Sequence, residues 1–275
     1  MKPYVGIAGI TARDESKDVA DQFYENGLKI REGSHQGLMG YCLTSGMINR
    51  RDEMEPRYIG LDDLRILNKP LVARNVIHYS SDPDVPESFI NDIYNIFLKS
   101  GIYESSRCRT LQINRAFNVS VESFDTLKEE IFPAMEIIFQ AGPDDITKIS
   151  PKALVKKIQP YSDYIDSILL DSSYGTGRKM DVAVLAPYIT ALEEAFPKLM
   201  LSFAGGLKPE NVASQITALI LLTTRPFSID VESGVRNESD ALDLDKTGAF
   251  IKRATQELER LYPRPAYSVP DSTLG

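Results

Sequence analysis

Eight short apolar runs, each followed by an amphipathic stretch, constrain this chain more than any other feature. The runs are YVGIAGI (4–10), GLMGYCL (37–43), PLVARNVIHY (70–79), RTLQINRA (109–116), AMEIIFQA (134–141), SILLDS (167–172), LMLSFAG (199–205) and FSIDVES (227–233). Their length and their β-branched and aromatic content are those of strands. Helical patterns cover 16–29, 61–67, 86–99, 123–131, 150–158, 181–196, 209–219 and 247–261, several opening on Ser or Pro as helix starts do. Strand–helix alternation repeated eight times predicts a single α/β domain, a (β/α)₈ TIM barrel; an open doubly wound sheet is the alternative. No linker divides the 275 residues, so the barrel is expected over 1–263. The Pro-rich polar segment 264–275 reads as a disordered tail.

Composition narrows the partners. A net charge of -8 argues against a general binder of nucleic-acid backbones, which needs a basic face. No apolar run is long enough to span a membrane. Two cysteines, Cys42 and Cys108, in a chain of this length suggest reduced thiols and a cytoplasmic protein. The two histidines, His35 and His78, are far apart, and no Cys/His cluster has zinc spacing. P-loop, dinucleotide and GxSxG signatures are absent. No cofactor or metal is expected.

In such a barrel the site is built at the C-terminal ends of the strands. These are Ala8 to Thr11, Cys42 to Ser45, His78, Asn114, Arg115, Gln140, Asp171, Ala204 to Gly206 and Asp230 to Gly234. Strand seven ends in FAGGLKPENV and strand eight in DVESGVR. Small residues in these two turns let backbone N–H groups approach a phosphate. The alternative is a pair of ordinary strand-to-helix turns. Strand six ends in LLDSSYGTGRKMD. Asp171 there would be partly desolvated, an environment suited to delivering a proton, unless it is simply a turn or cap residue. The segment Gly175 to Lys179 reads as a loop able to fold over an anion.

Taken together, these segments resemble the phosphoribosylanthranilate isomerase family of tryptophan biosynthesis. VGIAGIT resembles the family's ICGIT, EPRYI its SPRYV, and LQINRA its VQLHG. LLDSSYGTGRKMD resembles LLDT…GGTGKTFDW. FAGGLKPENV and IDVESGV resemble LAGGLNPENV and VDVSSGVE. The matches run in order along nearly the whole barrel. The resemblance implies an Amadori rearrangement of an aminoaldose phosphate to a ketose, with Asp171 as general acid. It implies that Arg57 holds the substrate carboxylate, with Gln112, Asn114 and Gly177 also binding substrate. It places the phosphate on Gly205, Gly206, Ser233 and Gly234. The partner it implies is a small phosphorylated sugar or aminoaldose phosphate; with no nucleic acid and no membrane expected from charge and hydropathy, the remaining expected partner is a second copy of the chain, in a homodimer.

Four departures stand out. The family's first-strand base is Cys, and here that position is Ala8, which cannot take a proton. The usual fourth-strand His is Asn114, and the first Ser of SSG is Glu232. The second loop carries the insertion SGMINRRDEME, so Arg50 and Arg51 are alternatives to Arg57. Substitute bases are His78, Glu232 and Cys42. Each has a plainer reading: a hydrogen-bonded loop His, a solvated or helix-facing Glu, a buried apolar Cys. The alternatives to isomerisation are an epimerase or lyase acting on a phosphosugar, or a non-catalytic phospho-ligand binder.

Overall fold

The computed structural model describes residues 1–30, 33–49, 55–67, 69, 71–172, 180–223 and 225–262. Eight strands are present: β1 Tyr4–Ala8, β2 Gln36–Thr44, β3 Arg74–Ser80, β4 Thr110–Asn114, β5 Glu136–Ala141, β6 Ser167–Asp171, β7 Met200–Ala204 and β8 Ser228–Val231. They close into a barrel in chain order. Every neighbouring pair is parallel, including β8 with β1. The expected (β/α)₈ barrel is the observed fold. Each strand falls inside its apolar run or within one residue of it.

The helices among the described residues are α1 Arg13–Glu25, α2 Ser45–Ile48, α3 Phe89–Tyr94, α4 Val121–Asp125, α5 Pro143–Thr147, α6 Pro151–Ile158, α7 Val182–Ala195, α8 Val212–Ile220 and α9 Leu244–Leu261, with short 3₁₀ turns such as Leu61–Ile66 between them. Ser150 caps α6 through its hydroxyl, with Pro at the first helical position. None of these helices is long and apolar enough to cross a membrane. Both cysteines are free and buried. Residues 264–275, Arg50, Arg51 and Gly175 to Lys179 lie outside the described residues.

The strand period of two decides which side chains reach the site. Tyr4, Leu38, Val76, Ile138 and Leu169 form a small apolar cluster separate from the main core. They are the inward residues of β1, β2, β3, β5 and β6 and fill the middle of the barrel. The intervening Val5, Ile7, Ile77, Ile137, Ile168 and Phe203 belong to the main core, packed toward the helices. Stepping two residues along each strand from the inner cluster leads to the mouth. The register sets Ala8 beside Gly40, Cys42 beside His78, His78 beside Gln112, Asp171 beside Ala204, and Gly6 beside Asp230. The apolar plug therefore forms the floor of a polar site.

Candidate active site at the barrel mouth

The mouth holds a cavity of about 580 Å³, enough for a small phosphorylated ligand. Of the residues singled out in the sequence, it brings together Ala8, Cys42, Arg57, His78, Gln112, Asn114, Asp171, Gly205, Gly206, Glu232 and Ser233. Gly177 lies outside the described residues. Gly234 does not line the cavity; a Cβ there would stand 1.8 Å from the Leu207 carbonyl oxygen, so it lets the β7 and β8 turns touch.

Asp171 ends β6 and is only 6% exposed. Gln140, on the next strand, donates to its Oδ2 at 2.8 Å, which fixes the carboxylate over the cavity floor. Gly205 follows β7 with φ +107°, a conformation side chains rarely adopt. A Cβ at Gly205 would stand 2.4 Å from Ser172 Oγ and 3.1 Å from Asp171 Oδ1. Gly206 also has positive φ, at +62°. The phosphate-type turn and the carboxylic acid are thus immediate neighbours. Asn211 holds the turn from beneath, accepting from the Lys208 amide at 2.9 Å and donating to the Gly206 carbonyl at 2.8 Å.

Arg57 reaches the mouth because the chain after the insertion returns beside β2. Tyr58 bridges Cys42, and the Ile59 amide donates to the Cys42 carbonyl. The guanidinium forks onto Asp240, with Nε to Oδ2 at 2.8 Å and Nη2 to Oδ1 at 2.6 Å, and Nη1 donates to Glu232 Oε1 at 2.8 Å. These three bonds leave two of its five N–H groups for a ligand. The Arg57 hydrogen bonds hold the Asp240 carboxyl below its usual range. Glu232 faces the cavity and not the helices, and its carboxylate answers Arg57.

His78 and Asp230 meet on the other side of Ala8. His78 Nε2 lies 3.7 Å from Asp230 Oδ2, and both residues are 4% exposed. Burial pushes His78 down to about 3, so its imidazole is neutral. Burial pushes Asp230 up to about 8, helped by the negative charges of Glu232 and Asp171. Cys42 lines the cavity with its thiol pushed well above the ordinary value, first by burial. It remains a thiol.

Several participants escaped the sequence reading. Asp230 stood out only as a strand end, although an Asp inside the apolar SIDV, two residues before Glu232, shares that residue's face. Asp240 and Arg236 carried no signal. Arg236 is 6% exposed and caps the end of β1, its Nη2 donating to the carbonyls of Ala8 and Gly9 at 3.2 and 2.7 Å. Asp144, Asp145, Phe117 and Lys157 add a rim on the β4–β5 side, where Lys157 bonds Asp145 at 2.8 Å and lies over the Phe117 ring.

Comparison with known proteins points the same way. A family model described as N-(5'phosphoribosyl)anthranilate (PRA) isomerase matches residues 130–253. N-(5'-phosphoribosyl)anthranilate isomerase of Pyrococcus abyssi is 29% identical over 189 residues, covering 68% of this chain and 81% of that protein. The enzyme of the same name from Natronomonas pharaonis is 30% identical over 142 residues, and that from Thermotoga maritima 40% over 91 residues. Those two matches span 64% and 39% of the relatives' own length, less than two thirds. Among solved structures, monomers generated from the dimeric Thermotoga maritima phosphoribosylanthranilate isomerase superpose with a TM-score of 0.58 at 21% identity, covering 93% of this chain and 100% of that one. A phosphoribosylanthranilate isomerase in complex with reduced 1-(o-carboxyphenylamino)-1-deoxyribulose 5-phosphate superposes with a TM-score of 0.57 at 21% identity, again covering 93% and 100%. At that identity the superpositions speak to the fold alone. Over these spans the chain is similar in sequence to phosphoribosylanthranilate isomerases.

Proposed function

We propose that this protein isomerises phosphoribosylanthranilate, or a closely related aminoaldose phosphate, to the corresponding ketose. One observation carries the reading: the Asp171 carboxyl, oriented by Gln140, sits directly against the glycine turn suited to a phosphate. That arrangement holds a phosphosugar by one end and offers a proton to its ring. Asp171 gives a proton to the ring oxygen, and the C1–O bond breaks to leave a Schiff base. Removal of the C2 proton then gives an enolamine. The enolamine becomes the ketose when C1 gains a proton and the C2 hydroxyl loses one. Substrate and product have the same atoms, so no co-reactant is needed.

In this reading Gly205, Gly206, Ser233 and Gly234 form the phosphate turns. Arg57 receives a substrate carboxylate on its two remaining N–H groups. Gln112 and Asn114, joined by a 3.1 Å hydrogen bond, present amides to the sugar hydroxyls. Gly177, outside the described residues, is a further proposed substrate contact. The buried free thiols fit a reducing cytoplasm. A homodimer is part of the proposal, and sedimentation should give twice the 30.7 kDa of the chain.

The test is turnover of phosphoribosylanthranilate by the purified protein beside Asp171→Asn. Turnover by the wild type, lost by 10²-fold or more in the variant, is expected. An Asp171→Asn protein as active as the wild type would remove the acid from the scheme.

A further inference from the structure

The reaction proposed above needs a group to accept the C2 proton, and the side chain at the end of β1 is a methyl. We infer that the His78–Asp230 pair is the proton acceptor, occupying the part of the mouth next to Ala8. This inference rests on the isomerase reading and adds the residues that complete it.

Three observations support it, all geometric. Both side chains line the cavity where the sugar would lie. Two glycines in mid-strand make the room. A Cβ at Gly40 would stand 2.7 Å from His78 Nε2, and one at Gly6 would stand 2.4 Å from Asp230 Oδ1. Neither glycine has a positive φ, so space and not backbone freedom accounts for them. Glycine inside a strand weakens it, and close approach by another group is the usual reason to find it there. The Gly40 position is also 3.1 Å from the Ala8 Cβ, so the imidazole nitrogen and the Ala8 methyl flank the same point. Finally, Asp230 Oδ1 is buried with no hydrogen-bond partner among the described residues. A polar atom so placed normally has a partner. A substrate hydroxyl or a proton on the pair would supply one.

The pair is surrounded by groups that keep it short of positive charge. Asp171 faces it from β6 and Glu232 from just past the end of β8. Cys42 on β2 and Tyr4 on β1 border it, both kept protonated by burial. At neutral pH the pair holds one proton and has room for a second. In the step, the C2–H bond breaks and its electrons form the C1=C2 bond, while the C1=N electrons move to nitrogen. The proton passes to the pair, which then carries two. Glu232 and Asp171 offset the charge gained. Returning that proton to C1, with the C2 hydroxyl proton going to Asp171, restores the enzyme. The 3.7 Å separation is longer than a hydrogen bond. Catalytic contacts of this kind commonly tighten when substrate binds.

The experiment measures kcat and KM for phosphoribosylanthranilate across pH. The proteins are the wild type, His78→Gln, Asp230→Asn, Asp171→Asn and the double variant His78→Gln with Ala8→Cys. His78→Gln and Asp230→Asn should each lose about 10²- to 10⁴-fold in kcat with KM little changed. Ala8→Cys should return part of the kcat lost in His78→Gln, on a pH profile moved toward that of a thiol. A merely structural role for His78 would give neither the rescue nor the moved profile. Gly40→Ala removes no titratable group, yet should lower kcat by displacing the imidazole. Wild-type kcat in His78→Gln or in Gly40→Ala, with Asp171→Asn inactive, would overturn the pair and leave the isomerase reading standing. A folded wild type that turns over nothing would overturn both.

Discussion

At the scale of single residues, Asp230 makes the sharpest statement. Its carboxyl is held near 8 in the folded protein against an ordinary value of 3.8, chiefly by burial. Below the ordinary value both folded and unfolded chains carry the proton, and Asp230 costs nothing. As pH rises from about 4 toward 8 the unfolded chain gives up the proton while the folded one keeps it, so stability falls across that window. Asp230→Asn removes the titration. The variant should therefore match the wild type near pH 4 and exceed it near pH 8, by something on the order of a few kcal/mol. Urea unfolding at the two pH values reads this directly, and an equal gap at both would show that Asp230 ionises freely in the fold. His78 works in the opposite sense and over a different range. Lowered from 6.5 to about 3, it costs stability as pH falls below 6.5, in wild type and variant alike, so the comparison isolates the carboxyl. Asp171 was legible in the sequence because it closes an apolar strand. The pairing of Asp230 with His78 was not, since 151 residues of intervening chain carry no trace of it and only barrel closure, β8 pairing with β1, brings it within reach of β3.

At the scale of elements, the strands read more cleanly than the helices. Strand ends were trimmed where a turn takes over, as at Gly9, which leaves β1 with φ +81°. Helix starts moved when a side chain preferred a local bond. The helix expected from Pro209 begins at Val212, because Asn211 bonds the Lys208 amide and the Gly206 carbonyl and draws 206–211 into a turn. The helix expected from Ser123 begins at Val121, capped by Ser120, whose Oγ accepts from the Ser123 amide. Such competition among nearby Ser and Asn residues is invisible to periodicity. The β7 turn itself yields a prediction. Gly205→Ala puts a methyl at φ +107° and within 2.4 Å of Ser172 Oγ. It should cost about 1–3 kcal/mol in stability. KM for the phosphorylated substrate should rise more than kcat falls, since the proposed function places the phosphate end on this turn. Inorganic phosphate would then compete less well against substrate than it does in the wild type. Unchanged phosphate inhibition would place the anion elsewhere.

Over the whole molecule, the ring of strands closes where β8 pairs with β1. Arg236 binds the carbonyls that end β1, and its Nη1 donates to the Asp240 carbonyl at 2.9 Å. Arg57 then crosses from the β2 side to Glu232 and Asp240 on the β8 side, so one guanidinium joins residues up to 183 positions away in sequence. The clasp spans the end of β1, the strand that ends in Ala8. Arg57 ties the returning loop to the β8 turn, and the proposed function gives its outer N–H groups a second job, receiving a substrate carboxylate. The two can be separated by experiment. Its side chain is 21% exposed and its partners 27% and 35%, so solvent weakens the pairs, and Arg57→Ala should cost only about 1 kcal/mol in urea unfolding. The effect on KM for a carboxylated substrate should be larger, about tenfold or more, because a charge-assisted bond to ligand would go with it. Arg57→Lys keeps the charge but cannot fork onto Asp240 and still reach Glu232, so it should recover little of either loss. If Arg57→Ala lowers stability and leaves KM untouched, Arg57 is a clasp alone. Glu232 and Asp240 would then be its whole purpose, and the substrate's carboxylate would have to be met by another cation at the mouth, of which Lys157 and Arg115 are the nearest in kind.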